Sequence, residues 1–132
     1  MKMKLENCQY KTHDNNIINY YGTDSNNHIL LIIHAQSANS SSYSSVIKKL
    51  SKKFHLIIID CYGHGKSSHN KEKYNIISQG DDLIEFIQYK TDEKISILGH
   101  SSGGLIACYI ASKSNLCDNL ILEDPPLFSS VG

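Results

Sequence analysis

The sequence predicts an α/β fold: a doubly wound, mostly parallel sheet with helices on both faces, built as a single domain over residues 1–132. Three observations carry that prediction. Four apolar runs, near residues 29–33, 54–59, 95–99 and 119–123, lack the polar alternation of a half-exposed strand, as expected when both faces of a sheet are covered. Segments of helical periodicity separate them. The motifs with chemical character all fall directly after such runs, at the carboxyl ends of the strands, where open α/β sheets bind their ligands.

Taken in order, the chain begins with an extended segment around Ile17–Tyr21 and a turn over Gly22–Asn27. Ile29-Leu30-Leu31-Ile32-Ile33 forms the first buried strand and ends in His34-Ala35-Gln36. The polar stretch Ser37–Ser45 reads as a loop leading into a helix whose apolar face carries Tyr43, Val46, Ile47 and Leu50. His55-Leu56-Ile57-Ile58-Ile59 runs into the loop Asp60-Cys61-Tyr62-Gly63-His64-Gly65-Lys66-Ser67. Ile76, Ile77, Leu83, Ile84 and Ile87 mark the face of the next crossover helix, broken once by Gly80. The third strand, Ile95-Ser96-Ile97-Leu98, enters Gly99-His100-Ser101-Ser102-Gly103. The following helix offers Leu105, Cys108, Tyr109 and Ala111, with Gly103 and Gly104 letting its start press close to the sheet.

Gly99-His100-Ser101-Ser102-Gly103 is a strand-to-helix turn of the pattern G-x-S-x-G, a nucleophile elbow. The turn is so tight that side chains at the glycine positions would strike the strand or the helix, while the serine accepts a strained backbone so that its hydroxyl stands clear. With His34-Ala35-Gln36 after the first buried strand and D-x-x-G-x-G-x-S over Asp60–Ser67, three motifs occur in one order, and together they resemble the α/β-hydrolase superfamily. The resemblance covers roughly residues 14–128, which correspond to the first half or so of a typical member, so the expected architecture is the hydrolase type truncated after about the sixth strand.

That resemblance implies a serine hydrolase acting on an ester, thioester or related acyl bond through an acyl-enzyme on Ser101. The backbone N–H of Ser102, at the positive end of a helix, would face the developing oxyanion, and the N–H of Gln36 would be the second donor. Ala35 stands where glycine is commonest in the family. The Asp60–Ser67 loop is expected to be structural, with Gly63 and Gly65 permitting its path and Asp60 bonding nearby amides. His100 is expected to pack beside the sheet rather than to act as a base, His34 to fix its loop, and His13, His28, His55 and His69 to be solvated.

Family members place the acid and the histidine after the nucleophile, yet no histidine follows His100. Asp124, in Leu122-Glu123-Asp124-Pro125-Pro126, is the candidate acid, with a strand-end cap before a proline turn as its plainer reading. The chain is therefore expected to require sequence beyond Gly132 for full activity. The alternative is a non-catalytic fragment or partner-binding module that keeps the elbow because its glycines are needed to fold. A dinucleotide-binding reading of Gly99–Gly104 fares badly, because the spacing is not G-x-G-x-x-G and the turn follows the third apolar strand rather than the first.

Thirteen basic against thirteen acidic residues give no net charge, which favours a neutral or apolar small-molecule substrate over nucleic acid. All the basic residues are lysine, so no bidentate guanidinium clamp is available. No H-x-H, H-E-x-x-H or Cys/His cluster occurs, and neither a metal nor a cofactor is expected. Cys8, Cys61, Cys108 and Cys117 show no C-x-x-C pairing and are expected to be free thiols. Without an apolar leader or a membrane-length apolar run, the chain is expected to be cytoplasmic. An unpaired edge at the last strand would favour self-association.

Overall fold

The computed structural model describes residues 5–34 and 44–123. Within them the order is β1 (Glu6–Lys11), β2 (Ile17–Gly22), β3 (Ile29–His34), α1 (Ser44–Leu50), β4 (His55–Asp60), α2 (Ile76–Lys90), β5 (Ile95–His100), α3 (Ser102–Lys113) and β6 (Cys117–Glu123), with a short 3-10 turn at Lys71–Lys73. The six strands form one sheet in the order β1-β2-β4-β3-β5-β6. β3 pairs in parallel with both β4 and β5, and β5 with β6, while β1 and β2 add an antiparallel hairpin beside β4.

Alternation along the central strands divides the core into two layers. Leu30 and Ile32 of β3 and Leu56 and Ile58 of β4 turn to one face with Ile47 of α1. Leu31, Ile33, Ile57 and Ile59 turn to the other, where Leu83, Phe86 and Ile87 of α2 and Ile106, Ala107 and Ile110 of α3 cover them. Every one of these side chains is buried. Fully burying a residue of this size contributes about 1.5–3 kcal/mol, which is why β3, β4 and β5 hold the centre.

β1 was not expected. Its residues alternate between exposed and half-buried and include only Cys8 and Tyr10 as apolar side chains, so no buried run announces it. The hairpin turn is closed by Asn15 in the left-handed region at φ 68°, which asparagine tolerates better than most residues. The helix faces also differ from expectation. In α2, Asn75 caps the first turn by accepting from Ser78 N–H at 2.8 Å, and Ile76 and Ile77 of that turn are exposed. Gly80, Asp82 and Phe86 are buried there instead. In α3 the inward stripe is Gly103, Ile106, Ala107 and Ile110, not Leu105, Cys108, Tyr109 and Ala111, because the small residues let the helix approach most closely. Tyr43 and the side chain of Val46 lie outside the described residues.

Gly80 is more than a break in a pattern: a Cβ there would meet the Tyr109 ring, with Cε1 at 2.8 Å, so it is where α2 and α3 close on each other. Tyr109 then donates its hydroxyl to Asp81 at 2.6 Å. All four cysteines lie among the described residues, and none of them is joined in a disulfide. No helix among the described residues is long and apolar enough to cross a membrane.

A polar network ties the β1–β2 turn to α2. Lys73 Nζ lies 2.6 Å from Asp14 Oδ2 and 3.3 Å from Asp82 Oδ2, and the buried Tyr62 hydroxyl donates to Asp82 at 2.8 Å. Tyr10 donates to Glu85 at 2.6 Å, which with burial pushes the phenol up to about 12. The His13 ring contacts the same carboxylate, and that bond raises its pKa. Burial opposes ionisation of Glu85, but the bonds from Tyr10 and His13 outweigh it and leave its pKa lowered.

The Lys73 ammonium, aided by Thr12 and Asn16, holds the Asp14 carboxyl well below its ordinary range. A carboxylate depressed in the folded state contributes stability above its unfolded pKa of 3.8, and that contribution fades as pH falls below it. Asp14→Asn is therefore expected to lower the urea midpoint at neutral pH and to make stability fall less steeply below that point. Parallel acid slopes in wild type and variant would show that the Asp14–Lys73 pair is not what acid breaks.

Candidate active site

The elbow is set by contacts on both sides. Ser101 is the residue that caps α3, with φ 56° and ψ −126°. It is one of two non-glycine residues at positive φ among those described. Its N–H donates to the carbonyl of Glu123 on β6 at 2.9 Å, and its own carbonyl accepts from Gly104 N–H at 2.9 Å. The chain thus leaves β5 and enters α3 with almost no connecting residue.

Both glycines of the motif have a steric reason. A Cβ on Gly99 would lie 2.6 Å from Gly104 Cα, 2.7 Å from Gly103 O and 2.8 Å from Ala107 Cβ. One on Gly103 would lie 2.8 Å from the carbonyl carbon of Ile33 and closer still to its oxygen. Strand β5 and helix α3 therefore meet at one point through backbone and the Ala107 methyl, and α3 rests on β3 at the next.

A serine at a helix N-cap ordinarily accepts a bond from an N–H of the first turn. Ser101 does not: no side-chain cap bond forms. Among the described residues nothing else hydrogen-bonds its hydroxyl. The first N–H groups of α3, starting with Ser102, lack intrahelical partners, and the helix dipole favours negative charge beside them. Ser102 is exposed at this position.

His100 extends to the side. Its Nε2 is 3.5 Å from Glu123 Oε1 on the neighbouring strand, consistent with a place beside the sheet. Gln36 and Ala35 lie outside the described residues, as do Asp124 and the His34 side chain.

The Asp60–Ser67 loop is built as a structural turn. Asp60, 1% exposed, accepts from Asn19 Nδ2 at 2.9 Å and from Lys66 N–H at 3.2 Å. Ser67 Oγ donates to the Asp60 carbonyl at 2.6 Å and accepts from Asn19 N–H at 2.8 Å. Gly63 and Gly65 take φ of 82° and 53°, and a Cβ on Gly65 would strike the Asp60 carboxylate, 2.9 Å from Oδ1 and nearer to Oδ2. Cys61 is buried, and burial with the nearby Asp60 charge pushes its thiol up to about 12, the reverse of an activated nucleophile.

Sequence reasoning missed the partners of several histidines. His28 is exposed, as expected, but its ring is not without partners: its Nε2 lies 3.0 Å from Ser96 Oγ and 3.5 Å from Asp118 Oδ1. Ser, His and Asp are thus gathered at the amino ends of β3, β5 and β6, opposite the elbow. They do not form a relay, because one imidazole nitrogen reaches both the serine and the acid, whereas a base needs one nitrogen for each. His55 is partly buried, which lowers its pKa. His13, Asp82 and Glu85 bring possible ligand atoms within 4.8 Å of one another. The Lys73 ammonium already bonds Asp82, and Tyr10 and His13 already donate to Glu85, so this cluster is satisfied as a hydrogen-bond network.

Known proteins resemble this chain in sequence and in fold. A protein of Mycobacterium tuberculosis described as uncharacterized is 32% identical over 94 residues, which make up 70% of this chain and 28% of that protein. The human serine hydrolase-like protein is 31% identical over 102 residues, 75% of this chain and 50% of its own. The chain thus spans between about a quarter and a half of the length of these relatives. The thioesterase domain from the curacin biosynthetic pathway superposes with a TM-score of 0.81 at 26% identity, covering 94% of this chain and 47% of that domain. The family model for the α/β hydrolase fold matches residues 28–131, and the chain belongs to that family.

Proposed function

We propose that this chain supplies the nucleophile and both oxyanion donors of a serine hydrolase that cleaves an ester, thioester or related acyl bond. Ser101 Oγ attacks the acyl carbon, its proton passes to a general base, and the carbonyl oxygen becomes an oxyanion facing the N–H of Ser102. Collapse expels the alcohol or thiol and leaves an acyl-enzyme, which water hydrolyses. Gln36 N–H is assigned as the second donor and Asp124 as the candidate acid. The base is assigned to a residue beyond these 132, consistent with the share of its relatives that the chain spans.

The observation that carries this reading is the Ser101 backbone. Close packing at Gly99 and Gly103 would be needed by any domain of this shape, catalytic or not, so the glycines do not separate the two readings. A serine at φ 56° whose hydroxyl makes no cap bond and has no partner among the described residues does. A domain kept only for its shape gains nothing from serine there, since glycine holds that conformation without strain.

Treatment of the full-length protein, including the residues beyond these 132, with a fluorophosphonate in mildly alkaline buffer, followed by peptide mass spectrometry, is expected to find the phosphonyl group on Ser101 and none in Ser101→Ala. A folded protein whose Ser101 stays unmodified overturns the nucleophile role. β6 forms an edge of the described sheet, with Leu120 39% and Ile121 46% exposed. These 132 residues alone are therefore expected to self-associate in sedimentation velocity, and Ile121→Lys to reduce that, since edge charges oppose strand addition. A monodisperse monomer at high concentration would refute this.

A further inference from the structure

Strand β6 buries little. Asp118, Asn119, Leu120 and Ile121 are all exposed, and within the strand only Cys117 and Leu122 pack against the core beneath α2 and α3. Those two stand five positions apart, and residues an odd number apart in an unbroken strand face opposite sides of the sheet. They share a face because the ladder to β5 shifts by one residue: Ile95 lies opposite Cys117 but Ser96 opposite Asn119, which leaves Asp118 without a ladder partner on β5. An extra residue of this kind is rare in a parallel pair, and it re-aims a side chain.

Here the bulge aims Asp118 at the amino ends of the central strands. The hydroxyl of Ser96, a residue only 4% exposed, donates to Asp118 Oδ1 at 3.4 Å and lies 3.0 Å from His28 Nε2. That ring nitrogen is itself 3.5 Å from Asp118 Oδ1, and Asn119 Nδ2 reaches Ser96 Oγ at 3.5 Å. Asp118 is thus tied across β5 to the residue that precedes β3. An exposed pair of this kind contributes little to global stability, so its purpose is local.

At its other end the same strand holds the elbow. The Glu123 carbonyl accepts from Ser101 N–H at 2.9 Å, and Glu123 lies opposite His100 in the ladder. A slip of β6 by one residue would exchange its two faces and turn that carbonyl away, and a strand with so little buried apolar surface resists such a slip weakly. We propose that the bulge at Asp118, pinned by Ser96 and His28, sets the register in which β6 presents the Glu123 carbonyl to Ser101, so that Asp118 and His28 are positioning residues for the nucleophile. The proposal rests on the acyl-transfer reading of Ser101. It gives a use to a buried serine and to a Ser, His and Asp group that the chemistry itself does not employ.

The test follows Ser101 in the full-length protein, through its rate of labelling by a fluorophosphonate and through turnover of p-nitrophenyl acetate. Asp118→Ala is expected to slow labelling and to lower kcat by about tenfold to a hundredfold with KM unchanged, the signature of a misplaced reacting group. Amide exchange at Ser101 should quicken in that variant while exchange in β3 and β4 stays as in wild type. Asp118→Asn, whose amide oxygen still accepts from Ser96, is expected to restore most of the loss. If Asp118→Ala does not melt cooperatively, His28→Ala, at an exposed residue, carries the same expectation. His13→Gln removes a comparable exposed contact near the opposite edge of the sheet and is expected to leave kcat unchanged. Equal labelling rates in wild type and Asp118→Ala, a loss that Asp118→Asn does not restore, or one that His13→Gln shares overturns the positioning role and leaves Ser101 as nucleophile. A wild type that takes no fluorophosphonate and turns over no ester overturns the acyl-transfer reading and this role with it.

Discussion

Gly103→Ala is expected to destabilise the fold by about 3 kcal/mol or more, a large share of the stability of a domain this size. The added methyl would sit 2.8 Å from the carbonyl carbon of Ile33. That carbonyl belongs to β3, which is bonded to β4 on one side and β5 on the other, so it cannot retreat without disturbing two ladders. The helix would have to lift instead, and Ile106, Ala107 and Ile110 would lose their packing. Gly80→Ala is the control. Its methyl would also collide, but with the Tyr109 ring, which can rotate away at the loss of the bond to Asp81. Alanine gains about 1 kcal/mol of helix propensity over glycine, so the two effects largely cancel. Urea midpoints for both variants decide the matter. A Gly103→Ala protein as stable as wild type would mean that α3 is not pressed against the sheet.

The contrast between these two glycines marks what the sequence could tell. The order of strands and helices from β3 to β6 was legible because each buried strand is an uninterrupted apolar run, and the elbow was legible because its spacing is short and local. The inward faces of α2 and α3 were not. Hydrophobicity ranks Ile77 and Leu105 above Gly103 and Ala107, yet the closest contact belongs to the smallest side chains. β1 escaped notice because an edge strand buries little and needs no apolar run. Asp82 was invisible for another reason: a buried carboxylate on a helix is recognisable only with its partners, and Tyr62 and Lys73 are distant in sequence. The roles of His28 and His13 likewise depend on strands and helices that meet only in the fold. In the candidate site the position of Ser101 was legible, and its strain was implied by the motif. The commitment of His100 to Glu123 needed the register of β5 against β6.

Ser101→Gly is expected to leave the fold at least as stable as wild type while removing acyl transfer. A side chain held at φ 56° and ψ −126° stores about 1–3 kcal/mol, and glycine releases that strain. Glycine also returns about 0.5–1 kcal/mol of freedom to the unfolded chain, so the net gain should be about 1 kcal/mol. Ser101→Ala keeps the Cβ and therefore the strain, and it loses no cap bond because the serine makes none. Its stability should match wild type. On the acyl-enzyme reading both variants lose the nucleophile, and ester turnover should fall on the order of a millionfold in each. The pair thus separates two properties of one residue. Turnover reports the hydroxyl and falls in both, whereas the melting temperature reports the backbone and rises only with glycine. Equal melting temperatures for the two variants would place no strain at the elbow and would remove the observation on which the nucleophile assignment rests. A higher melting temperature in Ser101→Gly alone would show that the fold gives up stability to hold a serine here, which a domain retained for its shape has no reason to do.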